Sequence, residues 1–134
     1  MTAPPENAPE VRLSTIGQIA VRVRDLPRAV AFYRDALGLP LLFQAPPALA
    51  FFQCGDVRVM LSTPEKPEFD HPASVIYFRV ADIQAAHGAL AGRGVPFVDQ
   101  PHVVHRAPGY ELWMAFFRDP DHSLLALMAE QKAG

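Results

Sequence analysis

Apolar and polar residues alternate in two segments of the chain that resemble each other. Residues 16–23 and 74–80 are rich in β-branched and aromatic side chains, which is the pattern of a β-strand. Each segment is followed by an aspartate, Asp25 or Asp82, and then by apolar residues at helical spacing. An aspartate there can accept hydrogen bonds from the free amides of a first helical turn. The pattern therefore predicts a strand and then a helix at two places.

The rest of each half predicts three further strands. The first helix should end at Gly38 and the second at Gly92 and Gly94, because a helix commonly ends where glycine adopts a positive φ. The further strands are expected near 40–44, 48–53 and 57–62 in the first half, and near 95–98, 111–118 and 123–128 in the second. Each half is thus predicted to be a β-α-β-β-β unit.

The two halves also match residue by residue, which indicates an internal duplication. An offset of 57 pairs Ile19 with Ile76, and an offset of 65 pairs the Ala-Phe-Phe of 50–52 with that of 115–117. A one-residue gap lowers the offset to 56, where Gly38 pairs with Gly94, and the later rise to 65 implies about nine extra residues in the second half, within 101–109. The expected organisation is a disordered tail and a single domain, divided as follows: tail 1–14, domain 15–130, module one 15–63, linker 64–72 and module two 73–130.

Composition narrows the class of function. The 134 residues are 50% hydrophobic and 19% charged, with a net charge of −2. This supports a buried core and excludes the basic excess that a nucleic-acid partner needs. No apolar run approaches the length of about 20 residues that spans a bilayer. The single cysteine, Cys54, cannot form an intramolecular disulfide. With no signal-peptide pattern near Met1, we expect a cytoplasmic protein with neither a nucleic-acid nor a membrane partner.

Four segments together resemble one known superfamily. They are Ile19–Leu26, Ala31–Leu39, Gly94–Phe97 and Phe117–Asp121. Their combination is similar to the vicinal oxygen chelate superfamily, which includes glyoxalase I, extradiol dioxygenases and bleomycin resistance proteins. The resemblance implies an α+β fold in which two tandem β-α-β-β-β modules form a cupped mixed sheet around a cavity. It does not choose among activities, because this fold hosts several.

In catalytic members of that superfamily a divalent metal lies in the cavity, held by His or Gln and by Glu side chains. The resemblance carries these ligand positions onto Gln18, Met60, Val75 and Ala126. A glutamine oxygen can bind a metal, a thioether is a poor ligand for such an ion, and valine and alanine offer no donor. We therefore expect no metal and no other cofactor, with a divalent metal kept only as part of the enzyme alternative.

Period-two alternation selects the side chains that would line the cavity. The candidate ligand-binding residues are Gln18, Arg58, Met60, Tyr77, Arg79, Trp113 and Ala126. Most of these are apolar with a few polar tips, which is typical of a pocket for an apolar or aromatic small molecule. The competing interpretation is that the side chains fill the cup, and Trp113 could equally serve core packing or a dimer contact.

The second half contains the candidates for catalysis, His102, His105 and Glu111. Imidazole and carboxylate groups can ligate a metal or share a proton. On a flat strand the two histidines, three residues apart, would face opposite sides, and no β-bulge that would bring them together can be recognised in the sequence. Solvated histidines on a polar loop are the simpler interpretation.

Two functions remain open from the sequence. The first is a metal-free small-molecule-binding protein of the bleomycin resistance type. The alternative is a metal-dependent or atypical enzyme of lyase, isomerase or dioxygenase type that uses the second-half His/Glu cluster. The resemblance and the exposed sheet edges both favour a homodimer.

Overall fold

A computed structural model describes residues 11–45 and 47–132 and contains two four-stranded sheets with one helix each. In the first half the elements are β1 (Gln18–Arg22), α1 (Leu26–Ala31), a π-helical continuation (Phe32–Ala36), β2 (Leu41–Ala45), β3 (Leu49–Cys54) and β4 (Val57–Ser62). In the second half they are β5 (Ile76–Arg79), α2 (Ile83–Gly92), β6 (His102–Ala107), β7 (Tyr110–Arg118) and β8 (Leu124–Lys132). The predicted α+β fold with two β-α-β-β-β units is confirmed.

Both units have the same topology. The strand orders are β1-β4-β3-β2 and β5-β8-β7-β6. In each sheet the first strand pairs parallel with the last, and the other pairs are antiparallel. An identical order with identical strand directions is what the duplication predicts.

Two parts of the chain lie outside these units. A short 3₁₀ helix, Pro67–Phe69, lies in the segment that connects them. Of the predicted disordered tail 1–14, residues 1–10 lie outside the described residues, and residues 11–17 have no regular secondary structure. No helix in the described residues is both long and apolar enough to cross a membrane.

The residues at the helix ends form the predicted caps. The carboxylate of Asp25 accepts from the amide of Arg28 at 3.1 Å, and that of Asp82 accepts from the amide of Ala85 at 3.0 Å. Gly38 follows the first helix with a φ of 79°, a value that L side chains rarely adopt. These local rules place both helices against their sheets.

The strand expected near 95–98 is wrong. The fourth strand of the second sheet is β6, which lies within the nine-residue insertion, whereas 95–98 makes only an isolated bridge from Phe97 to Phe117. The physical reason is the length of β7. Its nine residues, against six in β3, pair with β6 near their start and still receive the bridge near their end.

The core lies between the helices and one face of each sheet, and the two modules share it. Its largest fully buried members come from both halves: Val21, Val23, Tyr33, Phe52, Val59, Leu61, Ile83, Phe117 and Leu125. At the junction of the modules the Tyr33 hydroxyl donates to the buried carboxylate of Asp119 at 2.8 Å. The opposite face of each sheet, here called the first and the second open face, is covered by neither α1 nor α2.

Candidate functional site

The first open face belongs to β1, β4 and β3. Strand register places Gln18 beside Arg58, and Ala20 beside Met60, while Met60 lies opposite Phe51. Paired residues on neighbouring strands point to the same side of a sheet. A strip of apolar side chains therefore runs across this face, with the polar pair Gln18 and Arg58 at one end.

A groove of about 560 Å³ lies over this face. Its floor is formed by β1 and β4 with Ala20, Met60 and Ser62, and one wall is formed by the connecting segment with Lys66 and Phe69. A concave, mostly apolar volume with a few polar groups is the usual form of a small-molecule site. The connecting segment thus has a second role besides joining the modules.

One aspartate anchors that segment beside the groove. Asp70 forms ion pairs with Arg22 and Arg24, each with a nitrogen–oxygen distance of 3.1 Å. Hydrogen bonds from Arg24 and Arg22 hold the pKa of the Asp70 carboxyl below its usual range. These contacts fix the end of the segment to β1 and its flank, so the groove has a defined wall.

Gln18 lines the groove and takes part in a small hydrogen-bond network with Arg58, which lies just outside the lining. The Nε of Arg58 donates to Oε1 of Gln18 at 3.1 Å, and Nε2 of Gln18 donates weakly to Sδ of Met60 at 3.6 Å. The Arg58 guanidinium also lies 5.2 Å from the ring centroid of Phe51. Phe51 is in turn stacked on Phe43 with centroids 4.5 Å apart. Arg58 is therefore oriented by an amide and an aromatic ring.

The residue types present do not fit a divalent metal. Gln18 and Met60 are in contact, but the other two positions that the resemblance indicates, Val75 and Ala126, belong to the second module and carry no donor atom. One amide oxygen and one thioether make a weak donor set for a hard or borderline ion. Nowhere in the described residues do three or more His, Cys, Asp or Glu side chains come together as a potential metal site.

The second open face belongs to β5, β8, β7 and β6. Tyr77 and Phe116 meet edge to face with centroids 6.0 Å apart, over Ala126, which is fully buried. Arg79 is paired with Glu130 at 3.1 Å. The cavity candidates therefore fall on two surfaces of one chain: Gln18, Arg58 and Met60 on the first, and Tyr77, Arg79 and Ala126 on the second.

Trp113 is on neither open face, so its placement in the cavity is wrong. It lies opposite Ala129 on β8, on the side that packs against the helix, and it borders the buried core. Its Nε1 donates to the carboxylate of Glu111 at 3.3 Å. Alternation along β7 predicts which residues share a face, but only the packing of the helix shows which of the two faces is inner.

The sheet separates Glu111 from the other two catalytic candidates, His102 and His105. The register between β6 and β7 shifts between Val103 and His105, and this β-bulge puts His102 and His105 on the same, second open face. Glu111 lies on the helix-facing side and accepts from Nε of Arg106 at 2.9 Å. This hydrogen bond keeps the pKa of Glu111 below its usual range, so the carboxylate stays charged. The predicted His/Glu cluster does not form within the chain.

Two features of the first open face have no counterpart among the sequence-based candidates: the stacked pair Phe43 and Phe51, and the segment that ends at Asp70 and forms a wall of the groove. The pairing of Phe51 with Phe116 at offset 65 was a usable signal, because corresponding positions of a duplicated sheet share a face. No local sequence pattern predicts the wall that Asp70 anchors, because the partners of Asp70, Arg24 and Arg22, are 46 and 48 residues away in the sequence.

The chain matches one protein family over most of its length. The family profile described as glyoxalase/bleomycin resistance protein/dioxygenase superfamily matches residues 15–127. An uncharacterized protein, YraH, from Bacillus subtilis (strain 168) is 28% identical over 123 residues, which cover 82% of this chain and 94% of the relative.

Solved structures agree on the fold. The antibiotic binding protein TnmS3 from Streptomyces sp. CB03234 matches with a TM-score of 0.71 and 25% identity, over 90% of this chain and 98% of its own. Lactoylglutathione lyase from Agrobacterium tumefaciens matches with a TM-score of 0.68 and 24% identity, over 88% of this chain and 95% of its own. The same fold therefore serves a binding protein and an enzyme among the neighbours.

Proposed function

Because the chain belongs to the glyoxalase/bleomycin resistance protein/dioxygenase superfamily, we propose that it is a metal-free, small-molecule-binding protein. The ligand occupies the groove over the first open face. The observation that carries this proposal is the groove itself, about 560 Å³ in volume, with an apolar floor. That volume is in the range of sites for small organic ligands. We assign the protein to the cytoplasm, where the single thiol, Cys54, stays reduced.

The proposed absence of a metal rests on side-chain chemistry. Met60, Val75 and Ala126 offer one thioether and no carboxylate or imidazole, so Gln18 alone would have to hold the ion. The similarity to the antibiotic binding protein TnmS3 supports a binding role, since that protein shares both the fold and 25% of its residues with this chain.

The proposal includes a homodimer in which the second open face of one copy covers the groove of the other. The second open face has exposed aromatic side chains, with Tyr77 44% and Tyr110 38% exposed. In the same chain no side chain of β5 to β8 lines the groove. A large uncovered apolar face favours association, and a two-fold pairing would cover both such faces at once.

The enzyme alternative has no observation in its favour. It needs His102, His105 and Glu111 to act together, whereas Glu111 points to the other side of the sheet and is bound to Arg106. Proton transfer requires the acid and the base to be within hydrogen-bond reach of one reacting group.

The first experiment compares metal content with ligand binding. Untagged protein purified without chelator is incubated with Ni²⁺, Zn²⁺, Mn²⁺, Fe²⁺ or Mg²⁺, and bound metal is measured by elemental analysis. We expect substoichiometric metal in every case. A thermal-shift screen of aromatic and carboxylate compounds on the same protein should give stabilising ligands. A stoichiometric metal, or a screen without any stabilising compound, would contradict the proposal.

A matched pair of variants locates the ligand. Ala20→Phe fills the groove from β1, where the side chain is exposed, and should abolish the thermal shift by the ligands found. Ala91→Phe adds the same ring to an exposed position of α2 outside the groove and should keep it. Equal responses of the two variants would place the ligand elsewhere.

The homodimer is tested by light scattering during size-exclusion chromatography. Tyr77→Asp puts a charge on the second open face and should shift the protein toward monomer. Leu13→Asp makes the same kind of change at a residue that is 99% exposed and off this face, and should leave the mass unchanged. A wild-type monomer at micromolar concentration would contradict this part of the proposal.

A further inference from the structure

Among the arginines of the first open face, Arg58 differs in having no carboxylate partner in the described part of the chain. Arg22 shares Asp70 with Arg24, whereas the one hydrogen-bond acceptor of Arg58 is the neutral amide oxygen of Gln18. On the second open face Arg79 is likewise neutralised, by Glu130. The described residues thus offer no carboxylate to balance the positive charge of Arg58. Its side chain is exposed at the edge of the apolar strip.

Arg58 is nevertheless held in a defined orientation. Its Nε is bound to Gln18, and the guanidinium lies over the ring of Phe51 at 5.2 Å. These two contacts use the Nε side and one face of the guanidinium plane. The two terminal amino groups have no hydrogen-bond acceptor among the described residues and form the fork that binds a carboxylate with two parallel hydrogen bonds.

The surface next to this fork is flat and apolar. Met60 contacts Gln18 and lies beside Ala20 on the neighbouring strand, and Phe51 is stacked on Phe43. Thioether and aromatic surfaces pack well against an aromatic ring. A cation at one end of a flat apolar strip therefore selects a flat ligand with an anionic end.

We infer that the ligand of the groove is a planar aromatic or conjugated carboxylate, with its ring over Met60 and Ala20 in the groove and its anionic group on Arg58, which lies at the margin of the groove next to Gln18. This inference rests on the proposed binding function and adds the ligand class to it. Gln18 acts as a positioning residue, because it fixes the Nε side of the guanidinium and leaves the fork free.

The experiment uses two probes that differ only in charge, 2-naphthoate and naphthalene-2-carboxamide, titrated calorimetrically into the full-length protein at pH 7. We expect the wild type to bind the naphthoate about tenfold more tightly or better, as charge-assisted hydrogen bonds allow. Arg58→Gln should bind both probes equally, at the affinity of the carboxamide for the wild type. Binding of the carboxamide then also shows that the variant is folded.

Two further variants separate Arg58 from general electrostatics. Arg34→Gln removes another exposed arginine, which is paired with Asp35 on the first helical segment, and should keep the wild-type preference. Lys66→Gln removes a cation that lines the groove itself and should keep it as well. Arg58→Lys should retain part of the preference, because lysine keeps the charge but loses the fork.

The outcomes distinguish this inference from the function on which it rests. Equal wild-type affinity for the two probes, or a preference that survives Arg58→Gln and disappears in Lys66→Gln, would overturn the inference and leave the binding function standing. Failure of both probes to bind a protein that the thermal-shift screen shows to bind other compounds would also overturn it. A screen without any stabilising compound would remove the function itself.

Discussion

The two modules of this chain have the same topology, yet their open faces differ. In the first module a groove lies over the sheet, with Gln18 in its lining, Arg58 next to Gln18 and the Asp70-anchored segment as a wall. In the second module Tyr77 is 44% exposed and Phe116 is half-buried beside it. The two modules thus keep the same backbone topology, whereas the side chains on their open faces differ.

The inner faces have changed far less. Phe52 and Phe117, which correspond at offset 65, are both fully buried against the helices. Core positions respond to changes of a single methylene, whereas side chains on an open face are free to change with the ligand or partner. Between the two modules, the open faces therefore differ more than the buried faces do.

The junction between the modules also breaks the internal symmetry. Tyr33 of the first module binds Asp119 of the second, but the residues at the corresponding positions, Leu90 and Cys54, are unable to form such a hydrogen bond. One polar contact inside an apolar junction defines how the modules pack, since a buried polar group without a partner is costly. Burial keeps the pKa of Tyr33 above its usual range, so the hydroxyl retains its proton and donates.

Truncation of corresponding phenylalanines should give the largest effect and tests the contrast between inner and open faces. Phe52→Ala and Phe117→Ala should each lower the free energy of unfolding by about 3–5 kcal/mol, because each leaves a cavity in the shared core. Phe116→Ala, on the second open face, should cost about 1 kcal/mol in dilute protein, where no partner covers the ring. Urea unfolding measures all three, and equal losses would refute the distinction.

Removal of the Tyr33 hydroxyl tests the junction. Tyr33→Phe leaves one oxygen of the buried Asp119 carboxylate without its donor, and we expect a loss of about 1–3 kcal/mol in the free energy of unfolding. Phe32→Leu, a change of an apolar ring outside this hydrogen bond, is a suitable control for altered packing of the helix. Unchanged stability of Tyr33→Phe would mean that the modules do not depend on this contact.

Asp119 should also give the junction a recognisable pH dependence. Burial raises the pKa of Asp119, so the folded protein holds a proton that the unfolded chain releases, and this contribution to stability falls as the pH rises above about 4. Asp119→Asn removes the contribution of this proton. The free energy of unfolding of the variant should therefore increase relative to that of wild type over the same rise in pH. Urea unfolding across a pH series measures it, with Asp56→Asn in an exposed turn as control. A difference in free energy of unfolding between Asp119→Asn and wild type that stays constant with pH would contradict the raised pKa of Asp119.

The smallest effect concerns the wall of the groove. Asp70→Asn weakens the ion pairs with Arg22 and Arg24, and glutamyl endopeptidase should then cleave after Glu68 several-fold faster, because the segment opens more often. Glu130→Gln breaks a comparable exposed pair on the second open face and should leave cleavage of this segment unchanged. If both variants are cut at the wild-type rate, the ion pairs do not hold the wall.

Much of the fold could be predicted because its signals are local. Alternating strands, the caps at Asp25 and Asp82 and the positive φ at Gly38 depend on a few neighbouring residues. The duplication then supplied the topology of the second half from the first. The edge strand β6 was missed because pairing of an insertion is decided by the length of its partner strand, which alternation alone does not show.

The candidate site was predictable only in part. Gln18 and Met60 were placed together by the resemblance, and they are in contact. Glu111 and Trp113 were misplaced, since a single strand does not show which of its two faces meets a helix. The bulge that brings His102 and His105 to one face has no sequence signature here.

Residue type and short-range spacing are sufficient to predict the two β-α-β-β-β units and their helix ends, and the superfamily resemblance adds the poor donor set at the four metal positions. The wall formed by the connecting segment, the contact of Tyr33 with Asp119 and the position of Arg58 over Phe51 with its fork free emerge only in the folded structure. Those features join residues far apart in the chain. They depend on how the sheets, helices and connecting segment pack together, which no local pattern encodes.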